Sequence, residues 1–406
     1  MAEDNDTTID GGRSDGGAHR NGSESGEEID RSVGSGEPST GGPSIQEQPG
    51  QPGDPSGGGG GSWLPGGARW TPLTILAVVV VIGGVAAAGA FVATGGDLPL
   101  VGGDSGSASL GAVPEDVDIV LYADGGIIDD QTTQTMMDGV LEASSQDLGY
   151  SGVPSYDALL SEINSETNLD VDAFGSATMF ATYPEGSAAT AEYAGVIVES
   201  EWSTDEMVNS IEDTSGSVDE QTYAGTTVYV QSSEFGTDSW LAPLGDGTFA
   251  MGSQAAVTDA IDVENGDTNA LSGDIRNSFT DLRDGYVKFA ATLPENIGEQ
   301  AGPVPQGGQM TQNVRAASGV YYTSGDNVGM KLHLTGTDQS SADSVKESID
   351  GLVSFAAVGS QDSPTADLID AVAVSQDGQQ VTISFEYAAE ELVTVIEQLS
   401  GSGMAA

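Results

Sequence analysis

The chain of 406 residues contains no cysteine, which removes disulfides, thiolate nucleophiles, Cys-ligated zinc and iron–sulfur clusters from consideration. It has two histidines, His19 and His333, and three lysines, Lys288, Lys331 and Lys346. Basic residues number 10 against 63 acidic ones, for a net charge of -53. With no basic patch to neutralise phosphates, nucleic acid is excluded as a partner. Beyond the N-terminal tail there is no G-x-S-x-G elbow, S-x-x-K pair, P-loop or H-E-x-x-H.

What is present in excess is carboxylate. Such charge density opposes a compact state at ordinary ionic strength, but at 1 M salt the Debye length falls to about 3 Å and the repulsion is screened. Carboxylates also keep a protein soluble in molar salt. The composition therefore points to a halophile, and first to a halophilic archaeon.

Residues 1–70 are runs of Gly, Ser, Asp, Glu and Pro without apolar periodicity. They cannot bury enough apolar surface to offset their ordering entropy, so a disordered acidic tail is expected. It would serve as a solubilising spacer or a cytoplasmic docking arm. The 22 residues Leu73–Thr94 (LTILAVVVVIGGVAAAGAFVAT) then carry no charge. As a helix they span about 33 Å, enough to cross the hydrocarbon core of a bilayer. Trp63 and Trp70 precede them at the position of an interfacial belt. Ala86–Ala88 would suit a cleaved signal, but the apolar run is too long for one and the tail before it unusual, so an uncleaved transmembrane helix is expected. Arg69 flanks its N-terminal side, and the next basic residue is Arg276. That asymmetry predicts a cytoplasmic N-terminus, a large extracellular domain and a single-pass cell-membrane protein. The N-x-[ST] acceptors, Asn5 and Asn21, both lie in the tail. Gly83, Gly84, Ala87 and Ala88 have the small-xxx-small spacing that permits self-association of such helices.

A Gly/Ser linker, 95–112, leads to an exported domain, 113–400. Strands are expected at Val117–Ala123, Ala177–Tyr183, Thr190–Glu199, Thr227–Ser233, Tyr286–Thr292, Ala317–Thr323, Val328–Thr335, Ala371–Ser375 and Val381–Tyr387. Helical periodicity marks Met136–Leu141, Tyr156–Ile163, Ala342–Ala356 and Leu392–Leu399, and Ser203-Thr-Asp-Glu206 is a capping box. The order of elements repeats, predicting an α+β fold of two related halves, 113–240 and 285–400. Each would be an antiparallel sheet with helices on one face, joined by a hairpin, a helix and an acidic loop within Leu241–Asp274.

Val113-Pro114-Glu115-Asp116-Val117 opens the domain; midway stand Met251-Gly252-Ser253-Gln254, the helix Ala255–Ile261, and Gly273-Asp274 before Phe279 and the strand Gly285–Ala291. In these motifs the chain resembles an uncharacterised group of prokaryotic, haloarchaeal-type membrane-anchored proteins. Their exported domain begins L/V-P-A-D after an N-terminal transmembrane helix and has a G-S/D-x-x-A-V helix midway. The resemblance covers about half of the folded region and implies this architecture, with no activity.

Four local patterns invite chemistry. Gly103-Asp104-Ser105-Gly106 matches the surroundings of a serine-protease nucleophile, but sits in the linker with no histidine base nearby. His333 and Lys331 should project from the face of their strand opposite Val328, Met330, Leu332 and Leu334, as a solvated pair rather than a general base or metal ligand. Asp262–Asp267 suggests a calcium loop, but Gly266 falls at position five and Gly273 at twelve, where the loop requires Gly at six and Glu at twelve. Trp202 and Trp240 could be sugar platforms, although core packing explains them as well. No catalytic, cofactor-binding or metal-binding residue is assigned. The expected role is a membrane-anchored envelope module that binds another envelope protein or itself, without catalysis. The alternatives are an exported carboxylate-dependent hydrolase and a sensor or transport accessory subunit.

Overall fold

The computed structural model describes residues 109–147, 155–183, 193–232, 238–294, 312–359 and 365–402. The chain divides at Gly61, and every described residue belongs to its second unit, Ser62–Ala406. The tail, Leu73–Thr94 and Gly103–Gly106 lie outside the described residues. Among the described helices none is long and apolar enough to cross a membrane.

Among the described residues the fold is α+β, built on one antiparallel sheet of 12 strands. The first segment supplies β1 (Ile119–Asp124), α1 (Gln131–Asp147), α2 (Tyr156–Thr167), β2 (Phe174–Ala181), β3 (Ala194–Ser200), α3 (Thr204–Ser215), β4 (Asp219–Tyr223) and β5 (Thr226–Gln231). The connecting stretch supplies β6 (Ser239–Gly245), β7 (Thr248–Gly252), α4 (Gln254–Glu264) and α5 (Gly273–Thr280). The last segment gives β8 (Val287–Thr292), β9 (Val314–Ser324), β10 (Asn327–Gly336), α6 (Gln339–Gly359), α7 (Thr365–Asp370), β11 (Val372–Asp377), β12 (Gln380–Ala388) and α8 (Ala389–Ser402). Across the sheet the order is β11-β12-β10-β9-β8-β1-β2-β3-β7-β6-β5-β4.

Two separate sheets are therefore not formed. β1 and β8 pair antiparallel, Leu121 opposite Phe289, and weld the segments into one sheet. The physical reason is that an isolated first or last strand would leave a row of unpaired N–H and C=O groups, which this pairing satisfies. The connecting stretch is likewise part of the sheet: β7 inserts beside β3, and β6 lies between β7 and β5.

Residues opposite one another in a ladder share a face, and alternate residues switch faces. Leu121, Ala123, Val196, Val198, Phe289 and Tyr321 thus share one face and form a core with Met136 and Met137 of α1, Ile163 of α2 and Met207 of α3. Farther out, Ala342, Val345 and Ile349 of α6 cover Val381 on that same face. Val120, Tyr122, Ile197 and Ala290 occupy the opposite face under Val257 and Ile261 of α4 and Phe279 of α5. One-sided helices thus describe 131–215 and 339–402, while the connecting stretch puts two helices on the other face.

Local chemistry sets these elements. Ser203 and Glu206 form the reciprocal capping box at the start of α3. Two hydrogen bonds to its carboxylate, donated first by the Ser203 backbone N–H and then by the Ser203 hydroxyl, hold Glu206 below the usual carboxylate range. The β6–β7 hairpin turns through Asp246 and Gly247, both at positive φ, as a two-residue turn of the right-twisting kind requires. Three cross-strand pairs set an aromatic ring over a glycine: Phe180 on Gly195, Phe289 on Gly319 and Tyr322 on Gly329. In each, the ring fills the space where a Cβ would stand.

The two motifs behind the family resemblance meet in space. Pro114 bridges to Ala270, and Glu115 accepts hydrogen bonds from Ser272 (2.6 Å) and Asn269 (2.9 Å). Leu110 and Val113 share a core with Ala256, Val257 and Ile261. The opening residues therefore clamp the α4–α5 connection.

Candidate interaction surface

His333, Trp202, Trp240 and Asp262 are scattered by the fold. His333 lies on the face opposite Leu332 and Leu334, half-buried, its Nδ1 3.0 Å from the Thr382 hydroxyl. Burial, and then the Lys331 charge, push it below the ordinary imidazole value. Trp240 is buried in the core, and the Trp202 indole donates to the Asp170 carbonyl at 2.8 Å beside Phe174. Asp262 sits within α4 and accepts from the Tyr223 hydroxyl at 2.9 Å, so it belongs to a helix rather than to a loop. Among the described residues no three His, Asp or Glu side chains converge as a metal site would require.

Two polar networks are built into the sheet. On the face of α1, the Asp130 carboxylate accepts from the Thr133 N–H at 2.7 Å, from the Tyr286 hydroxyl at 3.0 Å and from Thr323 at 3.1 Å. It caps α1 and ties it to β9. On the opposite face, Asp124, Ser176 and Glu199 stand in register across β1, β2 and β3. The Tyr122 hydroxyl donates to Asp124 (3.0 Å) and the Ser176 hydroxyl to Glu199 (2.8 Å). Burial and the Asp124 charge drive the Tyr122 phenol far above its usual value. Nearby, Lys288 is only 6% exposed, with its ammonium 3.6 Å from Asp284 and 6.0 Å from the Phe279 ring centroid.

A different surface stands out on the outer end of the sheet. α6 starts at Asp338, whose carboxylate accepts from the Ser341 N–H (2.8 Å) and the Ser340 hydroxyl (2.7 Å). These bonds hold it below its usual range. The first half of the helix buries Ala342, Val345 and Ile349. After Ile349 no described residue of α6 is buried, although Gly351–Gly359 (GLVSFAAVG) carries no charge. Leu352, Phe355 and Val358 are 55%, 80% and 71% exposed, and they are the exposed large hydrophobics of the described chain. Spaced three apart, they form one continuous row on the helix surface. At 100° per residue, implied by 3.6 residues per turn, this row winds from the flank of the Ile349 stripe to the outside of the helix.

The sheet beneath is thinly covered. Val372 and Val374 of β11, Met330 and Leu332 of β10, and Ile383, Phe385 and Tyr387 of β12 share the α6 face, and all are only partly buried. Phe385 and Tyr387 stack with centroids 6.1 Å apart. None of α6, α7 and α8 closes over them fully. Lys346 and Asp350 pair one turn before the row begins, so charge stops where the apolar row starts. Helical periodicity alone groups Leu352 with Ala342, Val345 and Ile349 and marks neither Phe355 nor Val358. Their signal was an uncharged run with apolar residues off the buried face.

No known protein family matches the sequence, and no curated protein matches it. Among solved structures the chain is similar to crystal form I of TP0453, with a TM-score of 0.42 and 12% identity over 72% of this chain and 98% of that one. Crystal form III of TP0453 gives 0.41 and 12%, over 71% and 98%. A likeness at this level assigns neither a fold nor a function to the chain.

Proposed function

We propose that the protein is a membrane-anchored, extracytoplasmic interaction module of a halophile envelope. In this reading Leu73–Thr94 holds it in the membrane, the tail lies in the cytoplasm and the sheet domain projects outward. The single observation that carries the reading is the row Leu352–Phe355–Val358, a charge-free apolar ridge on a chain of net charge -53. Scattered exposed apolar residues are ordinary, but a charge-free row of large ones on one helix is a mark of a binding surface. In molar salt such a surface gains relative weight, because ionic contacts are screened.

The reading extends to the fold's origin. Its two halves are related by duplication in this account, and the wiring supports it. From the central β1–β8 pair, β2 and β3 step outward on one side, and β9 and β10 on the other. A helix then crosses to a strand parallel to the last one, α3 to β4 and α6 to β11, and the chain returns until a strand pairs antiparallel with β3 or β10. The first half returns through four strands and the second through two, so the first repeat runs on through β7 rather than ending at Trp240.

The test is a cross-linking pull-down from intact cells in molar salt, with the tethered chain as bait. Replacing Leu352, Phe355 and Val358 together by serine should abolish capture of the envelope partner while leaving the domain folded. Undiminished capture would remove the ridge from the account. One arrangement favours a second reading, a carboxylate-dependent hydrolase: Asp124 and Glu199 flank Ser176, their Cα atoms about 10 Å apart at two strand spacings. Hydrolysis of a glycan, ester or peptide substrate that disappears in Asp124→Asn and Glu199→Gln would replace the first reading with this one.

A further inference from the structure

We infer that the sheet face opposite α6, at the β10–β12–β11 end, binds an acidic polysaccharide. The α6 ridge lies across the sheet and has no part in this, so the two surfaces can fail separately. Strand register fixes what the face carries. Ala373, Ser384 and Lys331 stand side by side across β11, β12 and β10, and Ser375, Thr382 and His333 form the next row. The apolar cover on this side stops at β9, where Leu282 packs with Val320 and Tyr322. All six residues beyond it are at least partly exposed. Elsewhere this chain meets solvent with carboxylates: β4, the edge strand at the other end of the sheet, exposes Asp219 and Glu220. The two rows contain none. Glu386 and Asp377 border them, and Glu386 is engaged by the Tyr322 hydroxyl at 3.2 Å and the Asn327 amide at 3.4 Å.

The chain's scarce cations collect at the same place, although they are far apart in sequence. Val320 lies between Lys331 and Lys288 in register, which puts the two lysine Cα atoms about 10 Å apart at two strand spacings. Arg283 sits over the Tyr322 ring, 3.5 Å from its centroid, on the same side of β9. Among the described residues, ion pairs join Lys288 to Asp284, Arg315 to Asp274 and Lys346 to Asp350. Lys331 and Arg283 are in none of them, in a chain with 63 acidic residues.

That combination specifies the occupant. Cations left without a carboxylate complement an anionic group. The hydroxyls of Ser375, Thr382 and Ser384 offer donors and acceptors to a polyhydroxyl chain. A protein partner calls for an apolar or aromatic centre, and the apolar contribution of these two rows beyond β9 is Ala373. An acidic peptide would pair with the free edge of β11 rather than lie over its face. At molar salt a Debye length of about 3 Å screens the repulsion between two acidic chains and leaves short contacts at the face in place.

The full-length chain in detergent at molar salt is titrated with polygalacturonate, with dextran as a neutral polyhydroxyl chain and polyglutamate as an acidic polypeptide. Polygalacturonate should bind, and the other two should not. Lys331→Glu should weaken binding at least about tenfold, the size of one lost charged contact. Lys331→Arg should retain it, and Lys346→Glu, on the opposite face, should leave it unchanged. The two histidines report where the polymer sits. On binding, the His333 imidazole resonances should move and its pKa should rise, because an adjacent anion favours the protonated ring. His19, in the tail, should show neither change. Replacing Leu352, Phe355 and Val358 together by serine should not alter polygalacturonate binding. Polyglutamate binding as tightly as polygalacturonate would make the occupant an acidic polypeptide and overturn the saccharide. Binding that survives Lys331→Glu, or that leaves the His333 resonances still, would move the polymer elsewhere and overturn the face. No binding of polygalacturonate would remove the inference outright, while the ridge would still be judged by its own pull-down.

Discussion

The middle of the sheet and its β10–β12–β11 end are made from the same kind of strand but treated oppositely. β1 is covered on both faces and buries its four central residues, Val120, Leu121, Tyr122 and Ala123, in sequence. β11 alternates half-buried and exposed residues along its whole length, with water on its far face. Strands buried on both sides read as continuous apolar runs, while one-sided strands alternate. The comparison assigns stability to the middle, where α4 and α5 complete a three-layer core. At the end, apolar surface remains after folding is finished, and the proposed binding surface lies there.

Alkaline titration should break the contrast most severely. Tyr122, Tyr156, Tyr193 and Tyr321 of the middle are held above their usual value of 10.0, in each case first by burial. Tyr183 is pushed up to about 12, by burial and then by the Asp118 charge. A phenol with a raised folded pKa contributes stability that is complete below the unfolded value and is lost as pH rises through the folded one. The domain should therefore keep its stability to about pH 10 and lose it steeply above. Tyrosinate absorbance should rise together with loss of ellipticity. Ionisation of these tyrosines at pH 10 in a still-folded chain would contradict the placement of the core.

Phe279→Ala comes next. The ring is 1% exposed, edge-on to Tyr122, and its loss should lower unfolding free energy by about 3–5 kcal/mol. Phe355→Ala, at the outer end, should stay within about 0.5 kcal/mol by the same denaturant measurement. Gly319→Ala tests the aromatic-over-glycine pairs. Its Cβ would stand 2.4 Å from the Phe289 ring, so a loss of about 1–3 kcal/mol is expected. Ser203→Ala removes one half of the α3 capping box and should cost about 1 kcal/mol. Similar losses for Phe279→Ala and Phe355→Ala would erase the distinction between the two regions.

Much of the fold was legible because its signals are local. Every expected strand is present, and the capping box at Ser203 formed as its spacing indicated. β4, DEQTY, gave no strand signal because it is an edge strand with four of its five residues exposed. The sheet order was not legible. The pairing of Leu121 with Phe289 joins residues far apart in sequence, and no local pattern encodes which two strands meet. For the same reason α4 and α5 could not be assigned to a face from their periodicity, which marks an apolar stripe without saying what lies under it. The ridge was half legible. The helical stripe through Val345 and Ile349 was clear, but where the sheet stops supporting it depends on the width of β11 and β12.

The central claim is that α6 beyond Ile349 is a binding surface rather than part of the core. Photo-crosslinking from benzoylphenylalanine placed at Phe355 in intact cells at molar salt tests it most directly. The account predicts a discrete protein adduct. A chain that stays unmodified at Phe355 while remaining folded in the membrane would contradict it.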